Sequence, residues 1–171
     1  MKLGHMKLID KYVGWIFCVF CTSFAGLLRI FSHRKKEISE VKKILIMKFW
    51  GMGSIILASP LLKAVRTKFP NSKITFFTLS RNQEIVESLR LVDDIVTLDV
   101  DHSFIYFFFS LLRAILYLRK QSYDFCFDLE FFTRFSALVS YLSKARVRVG
   151  FHAWEAWRGN LHTLKVPFNR Y

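Results

Sequence analysis

A glycine turn between an apolar run and a helical pattern sets the fold class, and it lies within residues 43–80. The run Ile44–Met47 comes before Gly51 and Gly53, a helix-patterned stretch follows, and Ile74–Leu79 is a second β-rich run. A strand, a glycine turn, a helix and a second strand in this order open an α/β domain of the nucleotide type. Glycines let backbone approach a ligand closely, and the start of a helix attracts anions. The turn is therefore a candidate site for a phosphate or an anionic sugar.

Short apolar runs alternate with helix-length segments along the rest of the chain. Strands are predicted at 43–49, 73–79, 94–99, 123–129 and 146–150. Helices are predicted at 54–68, 82–90, 103–120 and 132–143, and the tail after them is predicted to be irregular. This pattern predicts a Rossmann-like, doubly wound, mainly parallel sheet with helices on both faces. The very apolar segment 103–120 is interpreted as a crossover helix buried against the sheet, with a second membrane-facing surface as the alternative.

An apolar segment precedes this domain. Residues 12–32 carry one charge, Arg29, and as a helix they would be about 30 Å long, which matches a bilayer core. Small or polar residues recur along one face of that helix: Gly14, Cys18, Thr22, Gly26, Arg29 and His33. Four interpretations stay open: a spanning helix whose small stripe packs on another helix, an interfacial helix, a signal peptide, and a buried core helix.

The basic cluster after this segment favours a cytoplasmic domain, because positive charge resists translocation. The predicted organisation is a membrane-associated helix at 1–33, a charged linker at 34–42 and a Rossmann-like domain at 43–171.

The charge balance narrows the class of partner. The chain has 26 Lys and Arg against 13 acidic residues, a net charge of +13. Anionic lipid and anionic sugar-phosphate both fit this excess. No nucleic-acid-binding motif is visible, so no nucleic-acid partner is predicted. Cys18 and Cys21 lie in an apolar run that lacks the polar setting of a redox or metal site, and neither a metal nor a cofactor is predicted.

Four ordered segments resemble one family. They are the glycine-turn unit, Leu91–Val96, Tyr123–Glu130 and Ala145–Phe151. Together they are similar to the first domain of glycosyltransferase family 9, the heptosyltransferases of lipopolysaccharide assembly, over roughly residues 42–171. The resemblance implies the N-terminal, acceptor-binding half of a GT-B fold, in which a second domain holds most of the nucleotide-sugar donor. That C-terminal domain is expected to be missing here, so this chain alone is expected to be inactive.

The implied function is transfer of a heptose-like sugar from a nucleotide-sugar to an anionic, lipid-linked lipopolysaccharide or glycan acceptor. The expected location is the cytoplasmic face of the bacterial inner membrane, with membrane lipid as a further partner. The alternative is a non-catalytic, membrane-tethered domain that binds a glycan or another partner.

One departure from the family concerns the catalytic base. Members usually carry an acidic residue directly after the turn, where this chain has Ser54, and a serine hydroxyl is no base without an activating partner. Ser54 is interpreted as the cap of the following helix or as an acceptor contact. Glu130 is the nearest substitute base in the sequence.

Further site residues follow the fourth predicted strand, where open parallel sheets bind ligands. Arg134 matches a basic position that in the family helps to hold the anionic acceptor. Asp128 and Glu130 can instead be loop carboxylates paired with Arg134 or Arg148. The resulting acceptor or anion site comprises Gly51, Met52, Gly53, Ser54, Asp128 and Arg134.

Overall fold

The computed structural model describes residues 10, 12–23, 40–101, 103–131, 133–152 and 157–168. Within them the strands are β1 (Lys43–Met47), β2 (Lys73–Leu79), β3 (Asp94–Leu98), β4 (Phe125–Asp128), β5 (Val147–His152) and β6 (Leu164–Pro167). Residues 12–23 are helical and are called α1. The other helices are α2 (Met52–Leu57), α3 (Ser59–Lys68), α4 (Gln83–Leu89), α5 (Phe104–Gln121) and α6 (Arg134–Leu142).

The strands form one parallel sheet in the order β3-β2-β1-β4-β5-β6. This confirms the predicted Rossmann-like sheet. Strand β1 lies inside the sheet, with Met47 opposite Phe77 of β2 and Asp128 of β4. The strand order reverses at β1 and β4, and doubly wound sheets bind ligands beyond the carboxyl ends of the strands at such a point.

Alternate residues of β1 serve two separate cores, because successive side chains of a strand point to opposite faces. Ile44 and Ile46 join the cluster that α2, α3 and α4 cover. Leu45 and Met47 join the cluster that α5 and α6 cover. Burial on both faces explains why this strand is an unbroken apolar run rather than an alternating one.

Two boundaries differ from the prediction. The helix expected over 54–68 is two helices that meet at Ala58, because Pro60 lies in the first turn of α3 and cannot donate a backbone hydrogen bond to a continuing helix. The tail was predicted to be irregular, and this was wrong, since Leu164–Pro167 form β6 beside β5. Strand β6 is short, largely exposed and ends in proline, so its sequence carries little strand signal.

The small-residue stripe of α1 packs against α6 and against residues 157–161. A Cβ built on Gly14 would lie 3.2 Å from the Cβ of Arg134, so a larger residue would push the two helices apart. Cys18 is fully buried, together with Ala137 of α6. The hydroxyl of Thr22 accepts a hydrogen bond of 3.1 Å from the backbone N–H of Asn160. The described part of the predicted stripe is therefore a packing surface.

The other face of α1 is exposed. Its large apolar side chains are 36–68% accessible: Tyr12, Val13, Trp15, Ile16, Phe17, Val19 and Phe20. In the part of the chain that the structure describes, no helix is both long and apolar enough to cross a bilayer. Residues 24–32 of the predicted membrane segment lie outside the described residues, as do 34–39 of the predicted linker.

Candidate functional site at the carboxyl edge of the sheet

The loops after β1 and β4 meet at the carboxyl edge of the sheet. The parallel pairing of these strands places Met47 beside Asp128, so the residues that follow each strand are neighbours. The Oε1 atom of Glu130 accepts hydrogen bonds from the backbone N–H groups of Phe49, at 2.7 Å, and Trp50, at 2.9 Å. Glu130 thus fastens the segment that leads into the glycine turn.

The second oxygen of Glu130 also has a partner. Its Oε2 atom lies 3.3 Å from the Nζ atom of Lys48, and both side chains are almost fully buried. The Lys48 ammonium also lies 5.5 Å from the centre of the Phe131 ring. These contacts give Glu130 a structural role in shaping the turn. Its role as a general base stays a prediction.

A second buried charge cluster lies beside this one. Asp128 is 1% exposed and forms an ion pair with Arg158, which is also 1% exposed. The same carboxylate oxygen lies 3.1 Å from Nε2 of His162, and the other accepts the backbone N–H of Glu130 at 3.1 Å. Burial alone would raise the pKa of Asp128, but the Arg158 charge and the His162 bond hold that pKa below its ordinary value.

Arg158 connects three segments of backbone. It donates to the carbonyl oxygens of Glu130 at 2.7 Å, of Thr133 at 2.9 Å and of Phe151 at 3.3 Å. It also donates to the Ser136 hydroxyl at 2.6 Å. The guanidinium therefore fixes the path from β4 into α6 and the end of β5.

Sequence reasoning missed Arg158 and His162 as parts of this site. Both lie in the tail that was predicted to be irregular. The His162 ring occupies the space beside Gly150, where an added Cβ would approach Nε2 to 2.4 Å. The glycine at 150 was therefore the one available signal that another group packs closely there.

The partners of the two carboxylates differ from the predicted ones. The sequence suggested Arg134 or Arg148, whereas the structure gives Arg158 and His162 to Asp128 and Lys48 to Glu130. The predicted partners, Arg134 and Arg148, lie near β4 and in β5. Arg158, the actual partner of Asp128, lies 30 residues from it in the chain.

The first glycine of the turn has a positive φ. Gly51 has a φ of 80° and is the N-cap of α2, while Met52, Gly53 and Ser54 form the first turn of the helix. Ser54 is therefore inside α2, and the expectation that it caps this helix was wrong. Its hydroxyl lies 2.9 Å from the carbonyl oxygen of Trp50 and 2.7 Å from that of Gly51, so it bonds backwards along the chain.

The start of α6 lies at the same edge and already holds a carboxylate. The backbone N–H groups of Arg134 and Phe135 donate to Asp10 at 3.1 Å and 2.8 Å. The positive end of a helix stabilises such a group. The Nε atom of Arg134 is buried without a hydrogen-bond partner among the described residues. Arg134 is half-buried, and its Cβ faces Gly14 of α1.

Comparison with known proteins supports this description of the fold. No protein-family model matches the sequence, and no curated protein matches it either. Among solved structures, a glycosyl transferase of family 9 from Veillonella parvula matches 77% of this chain and 37% of its own, with a TM-score of 0.60 and 16% identity. The E. coli heptosyltransferase WaaC with ADP-2-deoxy-2-fluoro heptose matches 75% of this chain and 43% of its own, with a TM-score of 0.63 and 16% identity.

WaaC with ADP matches in the same way, with a TM-score of 0.57 and 19% identity over 75% of this chain and 41% of that one. This chain therefore spans about two fifths of the length of these structures. Identity at this level shows the fold alone. The chain has the fold of one part of glycosyltransferase family 9 structures, which confirms at the level of fold the resemblance seen in its sequence.

Proposed function

We propose that this chain is the acceptor-side domain of a glycosyltransferase that moves a heptose-like sugar from a nucleotide-sugar to an anionic, lipid-linked acceptor. The observation that carries this proposal is the meeting of the glycine turn and the start of α6 at the carboxyl edge between β1 and β4. The first N–H groups of α2 and the Arg134 residue lie where a doubly wound sheet binds its ligand, while Asp10 occupies the first two N–H groups of α6.

The donor class is argued from the matched structures. The two E. coli structures are described with ADP and with an ADP-linked fluoro heptose. A donor of that type suits this chain only together with a second domain, because the chain matches one part of each structure. We therefore assign the acceptor to this domain and the nucleotide-sugar to a C-terminal partner domain.

The acceptor class is argued from charge. The chain carries +13, and the first N–H groups of α2 follow the glycine turn at this edge. An acceptor with carboxylate or phosphate groups matches both features. Within this proposal Gly51, Met52 and Gly53 offer backbone N–H groups, and Arg134 offers a guanidinium.

Replacing Arg134 by Ala should weaken acceptor binding by about 1.5–3 kcal/mol, roughly 10- to 150-fold, because a charge-assisted hydrogen bond is lost. The measurement is titration of the full chain with lipopolysaccharide prepared without heptose. Lys63→Ala is the matched control, since Lys63 is an exposed cation on α3 and its loss changes the net charge equally. Equal weakening in both variants would mean that only bulk charge matters, and unchanged binding in Arg134→Ala would remove Arg134 from the site.

Membrane attachment at the cytoplasmic face of the bacterial inner membrane is part of the proposal. Its support is the exposed apolar face of α1 together with the basic charge of the chain. Each buried CH₂ contributes about 0.8 kcal/mol, so several large side chains outweigh one lipid chain.

The double variant Trp15→Ser, Phe20→Ser should reduce binding to anionic vesicles by roughly tenfold or more, measured by flotation. These side chains are 50% and 68% exposed, and neither belongs to the cluster that buries Cys18. Leu164→Ser, at an exposed apolar position on β6, is the control. Salt should weaken attachment of the unaltered chain without releasing it, because screening acts only on the charge contribution. A full chain that stays free of vesicles at low salt would refute the attachment.

One observation favours the second candidate function, a non-catalytic binding domain. Ser54 takes the family's acidic position, and its hydroxyl is bonded to backbone carbonyl groups rather than to a group that could activate it. Acceptor binding without any turnover, even when the complete two-domain protein is supplied with a nucleotide-sugar, would establish this alternative.

A further inference from the structure

Helix α5 carries two apolar faces, and the fold of this domain uses one of them. Phe107, Leu111, Ala114 and Leu118 pack into the core under the sheet. A second set, spaced i, i+3, i+4, i+7 and i+11, is 44–66% exposed: Ile105, Phe108, Phe109, Leu112 and Leu116. This spacing places the set, called the α5 stripe, on one side of the helix. A crossover helix needs only one apolar face to pack on its sheet. A continuous exposed apolar patch on a second face is typical of a surface that binds another protein or a membrane.

The charged residues of α5 itself are basic, while on the side of the helix that faces β3 the carboxylates of Asp94 and Asp99 line one depression with Arg113. The helix contains no Asp or Glu, and its three charged residues, Arg113, Arg119 and Lys120, are exposed. Arg113 lies one turn after Phe109, so a cation borders the stripe itself. Tyr106, which is 56% exposed, lies at its margin. An apolar stripe bordered by cations and an aromatic residue with a polar tip is typical of a helix that lies in the headgroup region of an anionic bilayer.

The connectivity of α5 places the start of the stripe near the candidate site. The helix leaves the carboxyl end of β3 and returns to the amino end of β4. Its first half, with Ile105, Phe108 and Phe109, therefore lies at the carboxyl edge of the sheet. The glycine turn and the start of α6 lie at this same edge.

We propose that the α5 stripe inserts into the anionic leaflet of a bilayer and holds the carboxyl edge of the sheet against it. This inference rests on the proposed function and adds a second membrane contact to that of α1. A lipid-linked acceptor would then present its sugar directly to the edge that binds it. A second copy of the chain is a poorer partner, because a two-fold contact between stripes would bring Arg113, Arg119 and Lys120 against their own copies.

The test places an environment-sensitive fluorophore at one position at a time on the full chain. Cys21→Ser removes the half-buried thiol, and Phe109→Cys, Phe20→Cys or Leu164→Cys then supplies the labelling site on α5, α1 or β6. All three native side chains are at least 50% exposed, so the label disturbs no core. The probes are vesicles of phosphatidylcholine alone and of phosphatidylcholine mixed with phosphatidylglycerol.

We expect a blue shift and a rise in emission at positions 109 and 20 with the anionic vesicles, a smaller change with the neutral ones, and none at position 164. A change at 20 without one at 109 would overturn the α5 contact and leave the α1 attachment standing. No change at either position would refute both. A change at 109 that grows with protein concentration in the absence of vesicles would assign the stripe to contact between copies, and a change at 164 equal to that at 109 would mean non-specific adsorption.

Discussion

Replacing Asp128 by Asn should lower the free energy of unfolding by about 3–5 kcal/mol. The substitution leaves the Arg158 guanidinium, which is 1% exposed, without its counter-charge, and breaking a buried ion pair from one side is far more costly than losing an exposed pair. Urea unfolding followed by circular dichroism measures the change.

The matched control is Asp101→Asn, because Asp101 pairs with Arg81 at 3.1 Å on the surface, with side chains 64% and 49% exposed. That variant should lose less than about 1 kcal/mol. A loss of similar size in both variants would show that the buried cluster is no more important than a surface pair.

The lowered pKa of Asp128 also predicts how the free energy of unfolding changes in acid. A carboxyl whose pKa is lower in the folded than in the unfolded chain contributes its full stabilisation above the unfolded value, about 3.9, and loses it as the pH falls through the folded value. Below about pH 4 the native chain should therefore lose stability more steeply than Asp128→Asn does. If the free energies of unfolding of the native chain and of Asp128→Asn changed in parallel with pH, the lowered pKa of the Asp128 carboxyl would be contradicted.

Replacing Glu130 by Gln should also destabilise the fold by about 3 kcal/mol, because Lys48 is left buried without its anion. Lys48→Met should be costly as well, while the double variant should cost less than the sum of the two single ones. A coupling of about 0.5–3 kcal/mol in this double-mutant cycle is expected from urea unfolding.

This cycle separates the structural role of Glu130 from its predicted role as a base. A general base acts on turnover, and its amide variant has no reason to unfold earlier. If Glu130→Gln unfolds at the same urea concentration as the native chain, the structural role is wrong. Normal stability, with a turnover at least about 100-fold lower once the chain is joined to the donor domain proposed above, would instead favour the base.

The fold could be predicted because its signals are local. The run Ile44–Met47, the glycine turn and the later alternation of runs and helical patterns each report on neighbouring residues, and the parallel sheet follows from their order. The break at Ala58 could also have been found, since Pro60 is visible in the sequence. Strand β6 could not be predicted from the sequence, because its exposed residues form a strand by pairing with β5 rather than by their own strand preference.

The site was predicted less completely than the fold. The approach of Glu130 to the glycine turn follows from the pairing of β1 with β4, and the sequence placed both at one edge. The partner of Asp128 lies in a tail without periodicity, so only the packed structure brings Arg158 to it. The N-cap of α2 was predicted at Ser54, three residues too late. The cap is Gly51, and Ser54 already lies in the first turn of the helix.

The packing of α1 sets an order on the folding of the chain during synthesis. Thr22 and Asn160 are 138 residues apart, and Cys18 and Arg158 are 140 apart. At about 5–20 residues per second the ribosome needs roughly 7–28 s to make that stretch, and a helix forms within about a microsecond. Helix α1 is therefore formed several seconds before residues 157–161, against which it packs, have been synthesised. A bilayer surface close to the ribosome would shelter it during that time, so the membrane attachment proposed above would precede the completion of the fold to which α1 finally docks.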